Sequence, residues 1–164
     1  MQATRPTRPS TTITVTCGLP GSGKSTWAAS ASAGQAYVVT GDAIRTHGAD
    51  GRAVFELMAT NARRALGTGI DVIVDACALD PATRMQWQRI GRELGAASRL
   101  VIFTTPLDVC QARNSARPRG QRAEVDWHEL ERKFDRLLER IGLEDWDRVT
   151  VIPYVKGTVT HAEN

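Results

Sequence analysis

The sequence predicts one α/β domain built on a parallel sheet, and three observations carry that expectation. Short apolar runs recur at Ile13–Cys17, Ala36–Val39, Ile70–Val74, Leu100–Phe103 and Val149–Ile152, with enough chain between them for a helix each time. Most of these runs are apolar at nearly every position, the pattern of strands covered on both faces. The first leads directly into Gly18-Leu-Pro-Gly-Ser-Gly-Lys-Ser25, which fits G-x-x-x-x-G-K-S/T at every fixed position. A P-loop NTPase or kinase domain with a five-stranded sheet flanked by helices follows from these three together.

Residues 1–12 hold two Arg-Pro pairs, several Ser and Thr and no acid, and read as a flexible tail ahead of a domain spanning 13–164. Around the first strand Thr12, Thr14 and Thr16 give one face a polarity with no evident purpose. The loop after it is a phosphate cradle. Glycines let consecutive backbone N–H groups turn inward around an anion, and the following helix aims its positive end at the same point. Gly21, Ser22, Gly23, Lys24, Ser25 and Thr26 are therefore the expected binding residues for ATP or another nucleoside triphosphate. Lys24 would reach the β/γ-phosphates and Ser25 a Mg²⁺ ion. A dinucleotide fingerprint does not fit, because Thr26 stands where its third glycine belongs.

Past the second run, Asp42 and Arg45 stand three residues apart at a strand's carboxyl end, the edge where doubly wound sheets bind ligands. Asp42 could accept a proton from an attacking hydroxyl while Arg45 holds an anionic group on the same acceptor. An N-cap Asp followed by a surface Arg is the competing reading. Asp75 closes the third run, where a carboxylate can hold Mg²⁺ and its water shell, or simply end a strand. The next helix starts at Asp80 as N-cap with Pro81 in first position, repeats Trp87, Ile90 and Leu94, and stops at Gly95.

After the fourth run, Gln111 to Arg122 carries Arg113, Arg117, Arg119 and Arg122 without an acid, and with Pro118 and Gly120 it reads as a mobile lid between two helices. Its guanidinium groups could neutralise charge on a transferred phosphoryl group or grip a nucleic-acid backbone. The longest helix is expected from about Val125 to Ile141. Trp127, Leu130, Phe134, Leu137, Leu138 and Ile141 form its stripe, Asp126 with Glu129 a capping box, and Gly142 the stop. Asp145 and Asp147 match the D-x-D pattern of aspartyl phosphatases but precede a strand instead of ending one, so they are expected to be solvated loop acids.

Gly18 to Trp27, the Asp42-x-x-Arg45 pair and Arg113-Asn-Ser-x-Arg117, in that order and at similar separations, resemble the kinase domain of bacteriophage polynucleotide 5′-kinase. The resemblance covers roughly Ile13 to Ile141. It implies that Lys24 and Ser25 serve the ATP phosphates and Mg²⁺, and that Asp42 is the general base for a 5′-hydroxyl. It further implies that Arg45 holds the acceptor's 3′-phosphate, and that Arg113 and Arg117 act from the lid on the donor phosphates. Two departures stand out: Ala43 occupies a place where phage enzymes often have a second acid, and Asp75-Ala-Cys-Ala-Leu79 is out of register by one with the family's Asp-Thr-Asn-Leu.

Composition narrows the rest. Hydrophobic content of 41% without a long apolar stretch predicts a water-soluble domain with no membrane span. Cys17, Cys77 and Cys110 lack C-x-x-C spacing, which points away from a zinc site or disulfide framework and toward a reducing cytoplasm. A net charge of +3 is too small to diagnose nucleic-acid binding by itself. The expected activity is ATP- and Mg²⁺-dependent transfer of a γ-phosphoryl group, with Lys24, Asp42 and Arg117 catalytic. The favoured acceptor is a 5′-hydroxyl nucleic acid or a nucleoside 3′-phosphate. A small-molecule or hydroxymethylated-base kinase, and a nucleotide-gated binding module with slow ATPase activity, remain the alternatives.

Overall fold

The computed structural model of the chain describes residues 11–41 and 50–157. Asp42, Arg45 and residues 1–10 of the expected tail lie outside the described residues. In chain order the elements are β1 (Thr12–Cys17), α1 (Lys24–Ser32), β2 (Ala36–Thr40), α2 (Gly51–Gly67), β3 (Asp71–Asp75), α3 (Pro81–Glu93), β4 (Ala97–Phe103), α4 (Leu107–Ala116), α5 (Trp127–Arg140) and β5 (Arg148–Ile152). Two 3₁₀ turns, Arg119–Gln121 and Ile141–Leu143, follow α4 and α5. The strands form one sheet in the order β2-β3-β1-β4-β5, and every neighbouring pair is parallel.

That order puts β1 at the centre, with β3 in register at Val15↔Val74 and β4 at Val15↔Leu100. Ile13, Val15, Val72, Val74, Leu100 and Ile102 are buried, as strands covered by helices require. The helix α3 lies over β1 and β4 and approaches unusually closely at Gly91, where an added Cβ would sit 2.7 Å from Ile13 Cγ2. A mid-helix glycine costs about 1 kcal/mol of helix propensity relative to alanine, and here it allows the helix backbone to reach the sheet. Beside it Trp87 packs on Phe55 of α2 with ring centroids 4.9 Å apart.

Helix starts follow local chemistry. Asp50 accepts from Ala53 N, Asp80 from Ala82 N and Asp126 from Glu129 N, three N-caps that satisfy orphan amides. Several sequence expectations are corrected in detail. The second half of the capping box at α5 is not made, because Glu129 pairs with Lys133 at 2.7 Å instead. Gly142 does not stop that helix but sits inside the 3₁₀ turn that continues it. Leu94 and Leu138 are exposed rather than part of their helices' buried stripes. The expected tail reaches too far: Thr12 opens β1, and Thr11 is buried with its carbonyl accepting from Ala97 N. Asp147 is exposed but structural, accepting from Ser98 N at 2.7 Å and Ser98 Oγ at 3.0 Å. Those bonds, the backbone amide first, hold its carboxyl below the ordinary carboxylate value.

The least anticipated feature is a buried ion pair. Arg84 on α3 is 1% exposed, and its guanidinium grips both carboxylate oxygens of Glu144, which is 15% exposed. Its third arm donates to Ala78 O at 2.7 Å, and Trp146 Nε1 donates to Glu144 Oε2 at 2.9 Å. Burial by itself pushes the Glu144 carboxyl up, but the Arg84 and Trp146 hydrogen bonds and the adjacent positive charge outweigh it, and the net displacement is downward. A carboxyl lowered on folding contributes stability that is present above its unfolded value and is lost as pH falls through the folded one. Glu144→Ala, which strands a buried guanidinium, should cost about 3–5 kcal/mol in urea unfolding at neutral pH. The gap between the variant and the unmodified chain should narrow as the pH is taken below the usual carboxylate range; a cost below about 1 kcal/mol, a surface-pair value, would refute the assignment.

Candidate active site

The site is assembled at the carboxyl ends of β1, β3 and β4. Beyond Val15 the β1–β3 ladder ends, and Thr16 takes over with its side chain. Its hydroxyl lies 3.2 Å from Val74 O and 3.0 Å from Ala76 O and accepts from Ala76 N at 3.1 Å. This accounts for a threonine that is completely buried in an otherwise apolar strand end. Gly18 N then donates to Cys77 O at 3.0 Å, and Cys17 Sγ to Ala78 O at 3.3 Å, so the segment after β3 runs alongside the start of the loop.

The loop's glycines have geometric reasons. Gly21 holds φ 84°, and a Cβ there would lie 2.7 Å from Cys110 O of α4. Gly23 is the N-cap of α1 at φ 103° and offers no side-chain cap. The first turn of α1 also holds no acid, whereas α2, α3 and α5 each have an aspartate N-cap. Its leading N–H groups are thus available to an external anion at the end of the helix where the dipole is positive.

Lys24 is buried, and all three ammonium protons have acceptors within the loop: Gly18 O at 3.0 Å, Leu19 O at 2.7 Å and Ser22 Oγ at 3.3 Å. Ser22 is itself enclosed, and its carbonyl accepts from Thr105 Oγ1 just past β4. Ser25 and Thr26, by contrast, are exposed on the first turn of α1. Asp75 ends β3 opposite Thr40 and is half-buried. Asp42 and Arg45 belong to the chain between Gly41, after β2, and Asp50, the N-cap of α2, and lie outside the described residues.

The arginine segment divides in two. Gln111 to Ala116 are helical, part of α4, so Arg113 stands on a rigid element. It donates to Gly21 O at 3.2 Å and lies over the Tyr154 ring at 5.7 Å, joining the P-loop to the segment after β5. The non-helical part of the segment begins at Arg117, the C-cap of α4. Arg117, Arg119 and Arg122 are exposed, and Arg122 Nε folds back onto Arg117 O at 2.8 Å. Asn114, buried at the last turn of α4, closes the segment: its amide donates to Ala123 O at 3.1 Å and accepts from Ala123 N at 2.8 Å. The sequence assigns no role to Thr105 or Tyr154, whose partners Ser22 and Arg113 are distant in the chain, and Asn114 enters only as part of the Arg113-Asn-Ser-x-Arg117 motif; Thr16 alone carried a local signal, its polarity in a buried strand.

Thiolate chemistry at two of the cysteines can be set aside. Burial pushes the Cys17 thiol up to about 12 and the Cys110 thiol to about 11, so neither is an available thiolate near neutral pH. Among the described residues no group of three or more His, Cys, Asp or Glu could by itself hold a metal ion, and no helix is long and apolar enough to cross a membrane.

Fold and loop together are those of a P-loop kinase-like domain. The family model described as AAA domain matches residues 13–140, and the chain belongs to that family. No curated protein sequence matches it significantly. Among solved structures it is similar to Chaetomium thermophilum Kti12 in complex with ADP-AlF3, at 16% identity and TM-score 0.63, covering 87% of this chain and 89% of that one. It is also similar to a sugar kinase from Janibacter (19%, TM-score 0.60, covering 87% and 85%) and to Acinetobacter baumannii shikimate kinase in complex with shikimate (18%, TM-score 0.52, covering 91% and 87%). At these identities the likeness is one of fold.

Asn114→Ala removes both bonds that close residues 117–123. Two half-buried hydrogen bonds contributing about 0.5–1.5 kcal/mol each are lost, so a detached form of residues 117–123 should become about tenfold more populated. Trypsin should then cleave after Arg119 and Arg122 faster by a similar factor, with the midpoint of thermal unfolding changed little. Unaltered cleavage kinetics would show that the lid is held elsewhere.

Proposed function

We propose that this domain is an ATP- and Mg²⁺-dependent kinase acting on the 5′-hydroxyl of DNA, RNA or a nucleoside 3′-phosphate. The observation that supports phosphoryl transfer most directly is the uncapped N-terminus of α1 with Lys24 and Arg113 both lodged against the loop in front of it. The acceptor assignment is supported by the Asp42-x-x-Arg45 spacing and the arginines of the lid, in the order of the polynucleotide kinases that the sequence resembles.

Mechanistically, the backbone amides of Gly21 to Thr26 would bind the donor phosphates, and Lys24 would exchange its loop oxygens for the β- and γ-phosphate oxygens. Oxygen donors are the right type for Mg²⁺, and the Ser25 hydroxyl, exposed at the head of α1, and the Asp75 carboxyl, at the end of the strand beside β1, fit an ion that keeps most of its water. When bound, Mg²⁺ would neutralise charge on the β- and γ-oxygens. Asp42 would take the proton of the attacking hydroxyl as its oxygen bonds to phosphorus and ADP departs, while Arg45 orients the acceptor through a phosphate. Arg117, brought over the site with the lid, would stabilise charge on the transferred group, and Arg113 would fix the donor side. A small-molecule acceptor is the second reading, favoured by relatives in fold that are named as sugar and shikimate kinases.

Incubation with γ-labelled ATP and a panel of 5′-hydroxyl oligonucleotides, nucleoside 3′-phosphates and small polyols tests the acceptor directly. Asp42→Asn should lower kcat on the true acceptor by about 10²–10⁴ and leave ATP affinity nearly unchanged, because a general base acts on the acceptor alone. A parallel rise in ATP Kd would make Asp42 a nucleotide or metal ligand. Arg45→Ala should raise KM for acceptors carrying a 3′-phosphate about tenfold or more, the effect of losing a charge-assisted contact of about 1.5–3 kcal/mol, and barely affect those without one. Equal effects on both acceptor types would remove the 3′-phosphate from that position and favour the small-molecule reading.

A further inference from the structure

On the face of the sheet covered by α3 lies a cavity of about 440 Å³, within the range of about 300–1,000 Å³ that ligand sites occupy. It opens between the loop after β3 and α5, and it uses none of the P-loop residues and none of the lid arginines. Its walls are apolar, from Leu79, Pro81, Leu137 and Leu143, and cations ring its mouth: Lys133, Arg136 and Arg140, one turn apart along α5.

The charges do not cancel. Lys133 is paired with Glu129, Arg84 with Glu144, and Asp80 is occupied in capping α3. Arg136 Nε is near Arg132 O, but neither Arg136 nor Arg140 has an ion-pairing carboxylate among the described residues. Both are exposed, and Leu143 beside them is 87% exposed, an apolar side chain left in water at the edge of a cavity. An apolar slot rimmed by two unneutralised guanidinium groups fits a ligand unit with a flat apolar body and a phosphate. Placement favours a polymer over an isolated ion. Leu79, at the inner wall, directly follows Ala78, whose carbonyl accepts from Cys17 at the root of the P-loop and from Arg84 at the cavity. One wall of the slot is therefore formed by the segment that anchors the root of the P-loop.

We propose that this cavity seats a nucleotide of a single-stranded acceptor downstream of its reacting 5′ end, with the base against the leucines and the phosphate on Arg136 and Arg140. It rests on the polynucleotide reading of the active site. Binding of a 3′-fluorescein, 5′-hydroxyl single-stranded DNA of about a dozen nucleotides, followed by anisotropy across a salt series, reads it without catalysis. The double variant Arg136→Ala/Arg140→Ala should weaken binding about tenfold or more and flatten the slope of log K against log salt by about 1.4, from two contacts at about 0.7 each for single strands. Its KM for a nucleoside 3′-phosphate, too short to reach the slot, should not change. Arg132→Ala, exposed on the same helix but outside the cavity, is the control.

An unchanged Kd and slope in the double variant, while the unmodified chain phosphorylates oligonucleotides, would overturn the slot and leave the kinase reading standing. The same loss in Arg132→Ala would likewise overturn it, as diffuse charge. If the unmodified chain binds the strand through these arginines but phosphorylates none, the acceptor reading fails, and with it the assignment of the slot to an acceptor strand. No binding by the unmodified chain overturns both.

Discussion

The candidate site depends on how the ends of β1 and β3 stay together where the sheet stops. A parallel ladder runs out of partners at its carboxyl edge, because each strand must turn away toward a different helix. Backbone groups left unpaired there cost about 1–3 kcal/mol apiece if buried. The Thr16 hydroxyl replaces the missing ladder by bonding to both sides of the residue after β3, and Gly18 N and Cys17 Sγ extend the seam through Cys77 O and Ala78 O. With its entrance anchored in this way, the loop from Gly18 to Gly23 can turn its remaining amides toward an anion without unravelling into the sheet. The same Ala78 carbonyl receives Arg84, so the seam is coupled to the buried ion pair and through it to the chain leading into β5.

Strand number, the parallel α/β class and the P-loop were legible because each is written in local sequence: five apolar runs separated by helical stretches, and a loop in which glycine is required by φ and by close approach. Helix starts at Asp80 and Asp126 were legible for the same reason, as caps act within one turn. Stripes were read less well. Leu94 and Leu138 count as apolar in any periodicity, but what buries a residue is the presence of a neighbour above it, and both fall where none reaches. Arg84 shows the limit most clearly. A charged residue on a helix reads as solvent-facing, and the glutamate that lets it be buried lies 60 residues on, in a loop with no pattern of its own.

The arginine segment was recognisable as a cluster but not as two bodies. Helix and lid meet at Arg117-Pro118, and a residue before proline is biased away from the helical region; Arg117 indeed holds φ -70° and ψ 154°. That bias separates Arg113, carried on the helix and held against Gly21 and Tyr154, from the arginines beyond it. Asn114 stood in the Arg113-Asn-Ser-x-Arg117 motif but its role was not legible, because an asparagine near a helix end has many uses and its bond to Ala123 forms only after the chain has reversed.

The positive charges of the site thus differ in how much solvent reorganisation stands between them and an anion. Lys24 is desolvated already, its protons held by three oxygens of its own loop. An anion in the loop would have to displace some of those oxygens, and the ammonium would then trade protein acceptors, not water, for the new ones. Arg113 is intermediate, fixed by one carbonyl and a ring. Arg117 and the arginines after it are in water, where screening over roughly 8–10 Å leaves them almost no influence on a phosphate at a distance. Any contribution from them to the site would need water to be excluded around them. On the proposed kinase reading, the groups already held against the loop would serve the bound donor, and the solvated arginines could add to transfer only where water is excluded from around them.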